Sequence, residues 1–120
     1  MGQVIRVIVF NVDEDYGSEL RSELLRLDGV KIVAEVDEPT LLPQAIAQFR
    51  ADALMVHLDP MPDVVLGMAR QVVADHPALP VFVLSESTSG ELILSAMRAG
   101  IREFLTKPLD AKQLSDARGR

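Results

Sequence analysis

The side chains that could do chemistry sit in four short stretches: Asn11 to Asp15, His57 to Asp59, Ser85 to Ser87 and Thr106 to Pro108. Together they offer carboxylates (Asp13, Asp15, Asp59), one imidazole (His57), one hydroxyl (Ser85) and one amine (Lys107). Each type has a plain reading and a sharper one. Ser85 either bonds nearby backbone, as loop hydroxyls do, or binds an oxyanion. Lys107 either forms an ion pair with Asp13 or Asp59 in an otherwise empty pocket or takes part in that binding. His57 is a satisfied polar residue at a strand end, a phosphoacceptor or switch, or a metal ligand. His76, beside Pro77, reads as a favourable cation at a helix C-terminus.

Composition removes many other chemistries. The chain has 120 residues and no Cys, which excludes disulfides, thiolate nucleophiles, Cys-based zinc sites and iron–sulfur clusters. Two His cannot build a His-rich metal site. A net charge of −6 argues against a nucleic-acid partner, because phosphate contacts need clustered Lys and Arg. No apolar run approaches the roughly 20 residues that span a bilayer, and no basic-then-apolar leader opens the chain, so membrane insertion is not expected and the default location is cytoplasmic. A P-loop pattern is absent from these residues.

The four stretches are positioned by what precedes them. Val4 to Phe10 is a short β-branched run suited to a strand buried on both faces. From Tyr16 the period changes: Leu20, Leu24 and Leu27 share a stripe, while Glu19, Arg21, Glu23 and Arg26 face water, which predicts an amphipathic helix stopping near Asp28-Gly29. The alternation then repeats. Strands are expected at Lys31–Val36, Ala53–Leu58, Val81–Leu84 and Ile101–Leu105. Helices are expected after Pro39 and Pro43, through Val65 to Val73, through Leu92 to Met97, and from Leu109 onward. The expectation is one α/β domain over residues 1–120: a three-layer α/β/α sandwich with a five-stranded parallel sheet and five helices. In such sheets ligands bind beyond the carboxyl ends of the strands, which is where all four stretches fall.

The run Ala96-Met97-Arg98-Ala99-Gly100-Ile101-Arg102-Glu103-Phe104-Leu105-Thr106-Lys107-Pro108-Leu109 resembles the receiver domain of bacterial two-component response regulators, the CheY-like fold, and the resemblance extends from Val4 to about Leu114. It implies the sheet order 2-1-3-4-5 and phosphoryl transfer from a histidine kinase to an Asp at the end of the third strand, with a divalent cation on an acidic pair after the first. Carried over, it makes Ser85 the hydroxyl and Lys107 the amine that bind phosphoryl oxygens, and Ser85 and Phe104 the switch pair. Two positions depart from it. The acceptor position falls on His57, and the acidic pair reads Val12-Asp13 or Asn11-Val12. A hard cation such as Mg²⁺ needs several oxygen ligands, so no metal and no cofactor is expected. The loop Leu58-Asp59-Pro60-Met61-Pro62 is similar to that of atypical receivers of the CpaE/TadZ type, which precede a ParA/MinD-like ATPase in pilus assembly.

The resemblance therefore implies a non-enzymatic, phosphorylation-independent signalling module with a degenerate pocket of Asp13, His57, Asp59, Ser85 and Lys107. Such a module would dimerise or dock on a protein through its fourth helix, fifth strand and fifth helix, and would be a fragment of a longer chain. The alternative is a receiver phosphorylated on Asp59 with Asp13, Asp15 and Mg²⁺. A flavin-binding protein is disfavoured, since the loops lack a Gly-rich phosphate cradle and the chain has no Trp and one Tyr.

Overall fold

The structure is a computed structural model that describes residues 4–109. Five strands, β1 (Ile5–Phe10), β2 (Val30–Val36), β3 (Ala53–His57), β4 (Val81–Ser85) and β5 (Glu103–Thr106), form one parallel sheet in the order β2-β1-β3-β4-β5. Four helices are described: α1 (Glu14–Leu25), α2 (Leu42–Gln48), α3 (Pro62–Asp75) and α4 (Gly90–Arg98), with a 3₁₀ turn at Pro39–Leu41 leading into α2. The fold class and strand order are those expected from the sequence. The fifth helix, expected after Leu109, lies outside the described residues.

Alternation along the strands divides the core in two. Ile8, Phe10, Leu54, Val56, Val81 and Val83 face one way, against Leu42 and Ala45 of α2, Val65, Leu66 and Ala69 of α3, and Leu92 and Ala96 of α4. Val7, Val9, Met55, Phe82, Leu84 and Leu105 face the other, against Tyr16, Leu20 and Leu24 of α1. Since β3 and β4 are buried at every residue, their side chains are apolar until the last position, where His57 and Ser85 stand.

Two element ends and one mid-helix burial correct the sequence reading. Helix α1 begins at Glu14 rather than Tyr16, because the Asp13 side chain accepts from the Asp15 and Tyr16 N–H groups and caps it. Glu23, expected in water, is buried and accepts from the Tyr16 hydroxyl at 2.7 Å. Strand β5 starts at Glu103 rather than Ile101. Ile101 is buried, but its N–H bonds the Ala96 carbonyl while the Gly100 N–H bonds that of Met97. That pair of bonds is a Schellman closure of α4, with Gly100 at φ 88° in the left-handed region.

Candidate functional site

The carboxyl ends of β1, β3, β4 and β5 open on a cleft of about 580 Å³, lined by Asp13, Asp15, Tyr16, Asp59, Pro60, Pro62, Glu86, Ser87 and Lys107. His57 closes its floor. As the last residue of β3 it has no exposed surface. Its Nδ1 lies 2.7 Å from Asn11 Oδ1, and its Nε2 lies 2.9 Å from Lys107 Nζ. The Asn11 amide is oriented by two further bonds: its Nδ2 donates to the Asp13 carbonyl at 2.9 Å, and its Oδ1 accepts from the Asp13 N–H at 3.0 Å. A carbonyl oxygen facing Nδ1 and an ammonium facing Nε2 assign the proton to Nδ1 and the lone pair to Nε2. The imidazole is therefore neutral. Burial, and then the Lys107 charge, push its pKa down from 6.5 to about 4, against a smaller opposing pull from Asp59 and Asp13.

Asp59, two residues further on, is where the remaining donors meet. Ser85 Oγ donates to its Oδ1 at 2.6 Å, the Glu86 N–H donates to its Oδ2 at 2.9 Å, and Lys107 Nζ stands 3.0 Å from Oδ2. Burial by itself would raise the carboxyl's pKa. The Ser85 and Glu86 hydrogen bonds, with the Lys107 ammonium, outweigh it and hold Asp59 below the ordinary carboxylate value. Ser85 itself is buried and accepts the Ser87 N–H at 3.0 Å. Ser85 thus bonds local backbone, as the plain reading has it, while its proton goes to the Asp59 carboxylate. The partner of Lys107 is Asp59, and the Asp13 carboxylate is taken up by the helix cap.

Two residues of the site were not singled out by sequence reasoning. Tyr16 lies over His57 with ring centroids 4.5 Å apart, and Lys107 Nζ is 4.3 Å from the Tyr16 ring centre. Burial, followed by the Glu23 hydrogen bond, raises the Tyr16 pKa. Asn11 was noted only as one choice for the missing acid, and no signal in the sequence linked it to His57. Phe104 is half-buried on β5, opposite Val83 of β4, and packs against the core.

The donor set does not fit the divalent cation that the fold family implies. One carboxylate caps a helix, an imidazole stands at the end of β3, and the Lys107 ammonium occupies the position between His57 and Asp59. Among the described residues no group of three or more His, Cys, Asp or Glu is arranged to hold a metal ion. None of the described helices is long and apolar enough to cross a membrane.

Solved structures with the same fold include a protein from Burkholderia pseudomallei described as pilus assembly-related. It is 24% identical with a TM-score of 0.82, covering 98% of this chain and 88% of that one. The isolated receiver domain of RcsB from Salmonella enterica serovar Typhimurium, solved with a phosphomimetic, is 18% identical with a TM-score of 0.79, covering 98% and 87%. The signal receiver domain of a response regulator described as NarL, from Mycobacterium tuberculosis, is 20% identical with a TM-score of 0.79, covering 99% and 100%. Against a longer RcsB structure the chain spans 58% of the length. At these identities the likeness is one of fold. A search of curated proteins found no match. The family profile described as response regulator receiver domain matches residues 9–118, and the chain belongs to that family.

Proposed function

We propose that this receiver domain signals without being phosphorylated and works by docking on a protein partner or a second copy of itself, ahead of an ATPase in a pilus-assembly system. One observation carries the reading. The residue at the end of β3 is a fully buried imidazole whose two nitrogens are already bonded to Asn11 and Lys107, so it offers no free lone pair to a phosphoryl donor. The pilus-assembly setting is supported by the Leu58–Pro62 loop and by the Burkholderia neighbour of similar fold. The docking face is supported by Leu94 and Met97 of α4, which are exposed large apolar side chains on the helix next to β5.

Incubation with acetyl phosphate and Mg²⁺, read by intact mass, is the test. The expected result is no adduct. A gain of about 80 Da, one HPO₃ group, that disappears in Asp59→Asn would overturn the reading in favour of phosphorylation on Asp59. His57→Asp restores one oxygen donor and the nucleophile but not the second acid, so titration should show weak Mg²⁺ binding and the mass should show slow, incomplete phosphorylation. Sedimentation equilibrium at tens of micromolar separates self-association from docking on another protein, because a clean 13.2 kDa monomer removes the dimer.

A further inference from the structure

We propose that Asp59 is an internal ligand: its carboxylate fills a tetrahedral-oxyanion site built from the Ser85 hydroxyl, the Glu86 N–H and the Lys107 ammonium. The inference rests on the reading of an unphosphorylated domain and says what occupies the site instead. Three donors from two strand ends converge on two oxygens, at 2.6, 2.9 and 3.0 Å. An ordinary ion pair would need Lys107 alone.

The hydroxyl is the informative member. Ser85 has no exposed surface, and its oxygen accepts the Ser87 N–H, so its single proton points at Asp59 Oδ1. A backbone N–H and an ammonium complete a set with donors only, which is how proteins bind anions rather than neutral groups. The place they surround opens on the 580 Å³ cleft, with room for a group larger than a carboxylate. Asp59 reaches it from the loop that follows β3. Being tethered, it competes at an effective concentration of about millimolar or above, so a free anion binds the more weakly while it is in place. Its occupancy fastens the β3–α3 loop to the β4–α4 loop through the Ser85 and Glu86 bonds.

Vacating the site tests this. Inorganic phosphate is titrated at neutral pH into the wild-type chain and into Asp59→Ala, with the Glu86 and Ser87 amide resonances followed by NMR. Asp59→Ala should bind phosphate saturably in the millimolar range, at least about tenfold more tightly than the wild type, which retains its tethered occupant. Adding Lys107→Met should abolish the response. If Asp59→Ala fails to fold, Asp59→Ser, which keeps a polar group at the position, is titrated in the same way. Equal responses from wild type and variant, or a response that survives Lys107→Met, overturn the internal ligand. The two readings fail separately. Acetyl phosphate labelling of the wild type removes the unphosphorylated reading, whereas an unlabelled wild type together with a variant blind to phosphate removes the internal ligand alone.

Discussion

On the β1 side of the cleft the polar side chains bond back into their own segment, whereas on the β4–β5 side they converge on one carboxylate. Asn11 holds the Asp13 backbone and Asp13 caps α1, with only the Asn11 oxygen turned toward His57. Ser85, Glu86 and Lys107 all reach out to Asp59. The first side has become part of the scaffold, and its polar groups can be credited with local stability only. The second keeps the donors of an anion site, and its stability depends on what fills that site. Two polar clusters a few ångströms apart thus differ in what their stability depends on.

The largest effect should come from removing the cation that joins His57 to Asp59. Lys107→Met leaves a buried carboxylate without its charge partner and the Nε2 lone pair without a donor, and should cost about 4 kcal/mol in urea unfolding. If the loss is under about 1 kcal/mol, the β4–β5 side is no more dependent on its occupant than the β1 side.

Acidification acts on the same cluster. The folded-state pKa of His57 is depressed to about 4, so between the ordinary value of 6.5 and about 4 the unfolded chain takes up a proton that the folded chain does not. Stability is therefore complete above pH 6.5 and falls as the pH drops toward 4, by on the order of 3 kcal/mol. Asp59, also depressed, adds a loss of the same sign at lower pH, as its carboxylate takes up a proton. Urea midpoints measured across this range should slope in the wild type and flatten between pH 6.5 and 4 in His57→Gln. A wild-type midpoint independent of pH would mean that the folded imidazole titrates at its ordinary value, and a midpoint that rises on acidification would mean that it is charged when folded.

Smaller effects belong to the other side. Asp13→Ala removes the α1 cap and should cost about 1 kcal/mol, with no change in acetyl phosphate labelling. A change in labelling would return Asp13 to the chemistry. Arg21 and Glu35 supply the reference case. They form an ion pair at 2.8 Å whose side chains are 49% and 44% exposed, and Arg21→Gln should leave the urea midpoint within error.

Much of this was legible in the sequence because it follows from periodicity. The apolar runs and the Leu20 and Leu24 stripe are local patterns, the parallel sheet follows from alternating strands and helices, and the strand order is what the resemblance implies. The four polar stretches were found because each follows a run that must be a buried strand. What stayed hidden is pairing across distance. Glu23 reads as exposed by its type, yet its i, i+7 spacing from Tyr16 puts it on the buried stripe, where it meets the tyrosine hydroxyl. Lys107 could have met Asp13 or Asp59, and the choice depends on Asp13 being spent on a cap. Ile101 shows the limit of reading burial as strand, since its side chain packs in the core while its N–H closes a helix.

That helix closure also sets how freely the chain can vary. A carbon added at Gly100 would lie 2.9 Å from Val73 Cγ1, at a φ that side chains rarely adopt, so a larger residue there must both strain its backbone and shift the Val73 side chain of α3. Gly67 and Gly90 meet nothing within 4 Å and would accept alanine. A saturation library should therefore return glycine alone at position 100 and many residues at the other two. The exposed Leu94 and Met97 are thus presented by a helix whose pivot tolerates no added atom, so the surface a partner would read can change its residues without changing its pose.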